Sequence, residues 1–144
     1  MIITLDTNVL YQALYSDLGA SFFILEKIRK RKIKLALSLP VFYEYEEVLK
    51  RKESLKSFNL NIEDIDKVLR LLAYVGKVYE PYFLLRSNLR DESDNIFIEL
   101  AITSQSEFLI TNNIKHFMNS ELKYDNLKIV TPGDFVKYWR EKNE

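Results

Sequence analysis

The sequence predicts an α/β fold in which a central parallel sheet of four to five strands is covered by helices on both faces. Two observations carry this. Short apolar runs alternate with longer amphipathic stretches along the chain, the pattern of consecutive strand–helix–strand units. Only three glycines and three prolines punctuate the 144 residues, with no repeat, linker or low-complexity tract. One domain spanning residues 1–144 is therefore expected, long enough to bury a sizeable core.

Taken in order, Ile2–Leu5 opens the chain as a buried strand. Thr7–Leu14 and Ala20–Lys32 follow as helices. Ile33–Ser38 is the second strand, and Pro40 suits the first turn of a helix running to about Lys52. Apolar residues at 62, 65, 68, 69, 72 and 75 form a helical stripe over Ile62–Val75, with Gly76 as its stop. Lys77–Glu80 is a short third strand before Pro81. A helix over Asp94–Ser104, a strand over Phe108–Thr111, a helical turn near Ile114–Phe117, a strand at Lys128–Val130 and a last helix from Pro132 to about Lys142 complete the reading.

Composition excludes several classes. There is no cysteine, so disulfides and thiolate metal sites are out, in keeping with a cytoplasmic location. "MIITLDTN" lacks a basic region and meets an acid at once, unlike a signal peptide. No apolar run approaches the roughly 20 residues that span a bilayer, so no membrane partner is expected. Formal charge is zero, 21 basic against 21 acidic residues. A dense basic run nevertheless includes Arg29, Lys30, Arg31 and Lys32. It reads either as a solvated helix end complementing the dipole or as contacts to a nucleic-acid phosphate backbone. Most of the nine Tyr and nine Phe read as core; the Tyr79–Phe83 stretch also offers rings on which bases can stack.

Three acidic islands lie at predicted element ends: Asp6 in "LDTN", Glu44 in "YEYEE" and Asp94 in "RDESDN". In a parallel sheet, ligands bind beyond the carboxyl ends of the strands, where Asp6 falls, as do Thr111–Asn113 after the fourth strand. Each acid has a plain structural reading. Asp6 suits a helix N-cap. Glu44 borders the stripe of Val41, Tyr45, Val48 and Leu49 and fits a salt-bridged or snorkelling side chain. Asp94, in line with Phe97, Ile98 and Ala101, fits a first-turn acid on the helix dipole, with Asp91 or Ser93 as cap. His116, the lone histidine, reads as a packed or surface residue. Three carboxylates converging at one sheet edge would need a cation. With neither thiol nor histidine cluster, a hard, oxygen-liganded divalent ion is the simplest.

Four segments extend this reading: "LDTNVL" at 5–10, "SLPVFYEYEEVL" at 38–49, "RDESDNIFIELAI" at 90–102 and "FLITNNIKHF" at 108–117. In this order, across nearly the whole chain, they resemble PIN-domain proteins, nearest to the VapC-like toxins of prokaryotic toxin–antitoxin systems. The resemblance implies a three-layer α/β/α fold and a metal-dependent endoribonuclease site. It places Asp6, Glu44 and Asp94 at the core acids, as catalytic residues and ligands of Mg²⁺, with Mn²⁺ as a substitute. Asp91 matches an accessory acid, and Thr7, Asn8, Asn95, Thr111 and Asn113 are polar positions around the site. The resemblance also implies RNA as substrate, a homodimer, and a small antitoxin as inhibitor. One departure stands out: many relatives carry Asp where this chain has Asn113, which removes a charge from a second metal site. Two rivals remain. A receiver-like phosphoryl-transfer domain would want paired acids after strand one, and "LDTN" offers one. A degenerate PIN module would bind RNA or a protein without cutting.

Overall fold

The computed structural model describes residues 1–81, 92–117 and 126–144, with residues 92–95 described in their backbone only. The strands are β1 (Ile2–Leu5), β2 (Lys34–Leu37), β3 (Lys77–Val78), β4 (Phe108–Ile110) and β5 (Lys128–Val130). The helices are α1 (Thr7–Tyr15), α2 (Ala20–Arg29), α3 (Leu39–Leu49), α4 (Lys52–Phe58), α5 (Ile62–Val75), α6 (Glu92–Thr103) and α7 (Pro132–Asn143), with a 3₁₀ turn at Ile114–Phe117.

All four strand pairings are parallel, in the order β3-β2-β1-β4-β5. β1 is the centre: Ile3 pairs with Leu35 on one side and Phe108 on the other. The right-handed crossover rule puts the connections β1→β2→β3 on one face and the return from β3 to β4 on the other. The packing agrees. α1, α2 and α5 pack on one another or on β2 and α7 joins them against α2, while α6 packs on β1, β2 and β4. The expected three-layer arrangement is what the chain adopts. The order of connections reverses between β1 and β4, and such a switch point leaves a crevice beyond the carboxyl ends of those two strands.

The apolar pattern explains the core. β1, β2 and β4 are buried on both faces, with Ile3, Leu35, Leu109 and Ile110 at 0 % exposure, as parallel strands covered twice must be. Tyr45 and Phe97, both fully buried, bring α3 and α6 together with ring centroids 6.3 Å apart.

Several boundaries differ from the sequence expectation, and left-handed residues account for some of the helix ends. α2 stops at Arg29 rather than Lys32, because Arg31 turns into the left-handed region at φ 61°. The Lys32 amide then donates to the Lys27 carbonyl at 2.9 Å and the Arg31 amide to the Ile28 carbonyl at 3.0 Å, the pairing of a Schellman end. α4 ends the same way on Asn59, and α6 on Gln105. All three are positions where glycine is the usual choice. Gly76 stops α5 as expected, with φ −82°. It is needed because a Cβ there would lie 2.7 Å from both the Leu37 Cδ1 and the Leu72 carbonyl oxygen. The single helix expected from Pro40 to Lys52 is broken at Arg51, whose extended backbone (ψ 147°) starts α4 as a separate helix.

Arg31→Gly and Gln105→Gly should each stabilise the fold by about 0.5–1 kcal/mol, the left-handed strain removed less the entropy of the new glycine. Urea melts of the two variants against wild type measure this, and a lower midpoint would show that the side chains contribute more than their backbone costs.

Candidate active site

Asp6 is placed by the sheet itself. Its amide donates to the Ile110 carbonyl at 2.9 Å, which extends the β1–β4 ladder one residue past Leu5 and puts the side chain at the switch point. It occupies the N-cap position of α1, yet its carboxylate makes no capping bond. The plain structural reading of Asp6 as a helix cap is not what the structure shows: the side chain is engaged elsewhere.

What engages it is the end of β4. Thr111, fully buried, donates its hydroxyl to Asp6 Oδ2 at 2.7 Å, and Asn8 Nδ2 donates to the same oxygen at 3.1 Å. The partners are themselves held. The Asn113 amide donates to Thr111 Oγ1 at 2.9 Å, and the Asn112 amide donates to Asn8 Oδ1 at 3.1 Å. "DTN" at one strand end and "TNN" at its neighbour are thus joined by two hydrogen bonds across the strands, Thr111 to Asp6 and the Asn112 amide to Asn8, each segment adding one bond of its own. Both side-chain bonds to Asp6 land on Oδ2, so neither uses Oδ1. Thr7 Oγ1 is buried beside it and has no partner among the described residues.

Asp6 is 8 % exposed. Burial pushes its pKa above the ordinary carboxylate value, against the pull of the Thr111 hydroxyl, the Thr7 amide, nearby His116 and Asn8. A buried anion with that net balance is short of positive charge.

A buried seam ties the other two acids to this point. The Tyr45 hydroxyl donates to the Leu5 carbonyl at 2.6 Å, and the Tyr45 ring packs on Phe97. Asp6 follows Leu5, half-buried Glu44 precedes Tyr45, and Asp94 lies three residues before Phe97 in the first turn of α6. Asp94 and Asn95 are described in their backbone alone, and Asp91 lies outside the described residues. Among the described residues no three acids or histidines form a metal-holding group.

The basic run is located elsewhere. Arg29–Lys32 precede β2, so they lie at the amino edge of the sheet, opposite Asp6. Arg29 is paired with Glu26 at 2.7 Å and Arg31 lies over Tyr74. The sequence reading also passed over Tyr45, Asn112 and the influence of His116. Tyr45 looked like ordinary core, and a backbone amide such as that of Asn112 leaves no trace in a pattern.

A family model described as PIN domain matches residues 3–115. No curated protein matches the chain significantly. Among solved structures, a chain of VapBC2 from Rickettsia felis, bound to a DNA fragment from its promoter, is similar at TM-score 0.61 and 21 % identity. That match covers 91 % of this chain and 98 % of the other. A chain of VapBC-1 from nontypeable Haemophilus influenzae gives 0.54 and 17 %, over 92 % and 99 %. A chain of FitAB bound to IR36 DNA gives 0.59 and 17 %, over 90 % and 94 %. At such identities the likeness is one of fold.

The raised pKa of Asp6 has a consequence for stability. The native state holds this proton more tightly than the unfolded chain does. That contribution is present below the ordinary value of 3.8 and is lost as pH rises through the higher folded value. Asp6→Asn removes the buried charge and keeps an acceptor for Thr111. Its melting temperature at neutral pH should equal or exceed that of wild type, with the difference closing toward pH 3.8; a variant that melts earlier at neutral pH would contradict this account.

Proposed function

This chain belongs to the PIN domain family, and we propose that it is a metal-dependent endoribonuclease, the toxin of a toxin–antitoxin pair. The observation that carries the reading is the buried Asp6 carboxylate, fixed on one oxygen by Thr111 and Asn8 at the switch point of a parallel sheet. A carboxylate held out of water with its pKa raised by burial is what a bound cation compensates.

The donor set fits a hard divalent ion. Asp6, Glu44 and Asp94 would hold Mg²⁺, or Mn²⁺ in its place, through oxygen alone. When bound, the ion supplies an acidified water and offsets charge on the phosphate being cleaved. The chain's own residues do the positioning. Thr111 holds Asp6 Oδ2, so that the carboxylate presents one defined oxygen. Asn8 holds the same atom and, through Asn112, ties it to the end of β4. The Tyr45 hydroxyl fixes the Leu5 carbonyl and with it the height of α3 and Glu44 over the sheet. His116 adds positive potential near Asp6 and favours its ionised form. Asn95 and Asp91 are accessory positions on the Asp94 side.

RNA is the proposed substrate, a small antitoxin the proposed inhibitor, and a homodimer the proposed assembly. The similar solved chains come from VapBC and FitAB complexes, which supports an antitoxin partner. Among the described residues no helix is long and apolar enough to cross a membrane, and the proposed place of action is the cytoplasm. Asn113 favours a second reading, a degenerate PIN module. It contributes its amide to Thr111, but its side chain brings no charge for a second ion.

The test is cleavage of a mixed structured RNA pool with Mg²⁺ or Mn²⁺ against EDTA. Wild type should cut only with metal. Asp6→Asn and Asp94→Asn should abolish cutting while remaining folded. Thr111→Val, which removes the shorter of the two bonds on Asp6 Oδ2, should cost roughly 10- to 100-fold. Equal cutting by Asp6→Asn would sink the assignment, and a wild type that neither cuts nor binds Mn²⁺ would establish the degenerate module instead.

A further inference from the structure

A groove of about 580 Å³ lies between α2 and α7, two helices described along their whole length. Among its described lining residues none belongs to the candidate active site. The sequence spacing explains how it forms. Phe22, Phe23, Glu26, Lys27 and Lys30 recur at intervals of three and four along α2, beside the stripe that α2 buries in the core. Gly133, Val136 and Arg140 keep the same period on α7. Gly19 and Gly133 have no side chain to close the groove at its end.

The lining combines apolar surface with unbalanced charge. Phe22 and Phe23 are half-buried, and Leu18 is 93 % exposed. Glu26 is already taken by Arg29, through hydrogen bonds of 2.7 and 3.0 Å, with Lys30 nearby. Lys27 and Arg140 are left against one remaining acid, exposed Asp17. Among the described residues neither cation has an ion pair. Both gather on one ring instead: the Phe23 centroid lies 4.9 Å from Lys27 Nζ and 5.1 Å from Arg140 Cζ. Attraction to a ring leaves their N–H donors available, and two like charges held this way repel each other. An anion relieves both conditions.

The choice of anion follows from the neighbours. A nucleic-acid strand carries a phosphate on every nucleotide, so it cannot leave a gap in its charge opposite Asp17 and Glu26. A base could stack on Phe23 only by displacing a cation from it. A peptide spaces its carboxylates as its sequence dictates and can set an apolar side chain between them. The ten residues of α2 span roughly 15 Å, the length of about four or five residues of extended chain.

We propose, independently of the ribonuclease reading, that the groove between α2 and α7 docks a short acidic segment of another protein. Its carboxylates pair with Lys27 and Arg140, and an apolar side chain between them packs on Phe22 and Phe23. Leu18, standing out at the groove's end, adds apolar contact that only a bound partner covers. Lys27 and Arg140 decide which partners are accepted, because an opposed or neutral segment leaves both charges unmet.

The experiment follows fluorescence polarisation of a labelled peptide, Glu-Asp-Phe-Leu-Glu-Asp, titrated with the intact protein. One control peptide carries Gln and Asn in place of the acids, and a second carries Ser in place of Phe and Leu. The first peptide should bind roughly tenfold tighter than either control and weaken as added salt screens exposed charges. Lys27→Glu and Arg140→Glu should each cost roughly tenfold in its affinity, with little change in melting temperature. Gly19→Tyr should obstruct the groove and also weaken binding; a Cβ at Gly19 meets nothing within 4 Å, so the fold accepts it. Absence of binding, equal binding of the three peptides, or binding unmoved by all three variants overturns the proposal. An oligouridine that displaces the peptide with equal affinity, and loses affinity in the same charge reversals, overturns it and assigns the groove to a phosphate chain. Self-association in sedimentation velocity that Gly19→Tyr abolishes, with no peptide bound, overturns it in favour of a second copy.

Discussion

The hydrogen bond from Thr111 to Asp6 is the interaction on which the site depends. It joins the residue after β1 to the residue after β4, and these are the two strands between which the sheet reverses its winding. A charge-assisted bond of 2.7 Å between buried groups is strong because neither partner can trade it for water. It also restrains which oxygen of Asp6 stays available. The amides of Asn112 and Asn113 anchor the bond from outside, through Asn8 and through Thr111 itself. The carboxylate is thus held by groups that have little freedom of their own.

That arrangement has an energetic cost, and the cost indicates its use. Four influences draw Asp6 toward its ionised form, yet burial outweighs them. A chain selected for stability alone would place a neutral residue here. Retaining the acid makes sense where a cation arrives to offset the desolvation. The Leu5–Tyr45–Phe97 seam complements this. Tyr45 uses its polar tip on a strand carbonyl and its ring on α6, so one core residue sets the spacing of the strand and the two helices that bear the acids.

The sequence revealed the fold more readily than the ends of its elements. Alternation and buried runs identified every described strand and most of the described helices, since periodicity is a property of many residues at once. Helix ends depend on single residues, and in this chain the expected signals are missing. Arg31, Asn59 and Gln105 occupy left-handed positions that glycine would have advertised, while Gly76 is retained for close packing. Ser38 and Thr131 do cap α3 and α7 through their side chains, and those two helices begin where the pattern indicates. At the site, Asp6, Thr111 and Asn8 were legible as polar residues at strand ends. The bonds that join them were not, because Thr111 meets Asp6 across 105 positions and two of the four bonds come from backbone amides.

Charge decides how an RNA strand would be captured. The chain is formally neutral, so it projects little long-range field toward a polyanion. Among the described residues three cations are paired in place: Arg29 with Glu26, Lys50 with Glu46 and Asp66, Arg51 with Glu47. The basic run at 29–32 lies beyond the amino ends of the strands, on the far side of the sheet from Asp6. Such a protein gains little from counterion release, the term that makes most nucleic-acid affinity non-specific. Under the proposed function, affinity would then come from contacts made after arrival: a cation among the acids, stacking, and hydrogen bonds to base edges. Such contacts would reject a wrong base as strongly as they reward a right one, so the placing of the described basic run away from Asp6 would favour a narrow substrate range over a broad one.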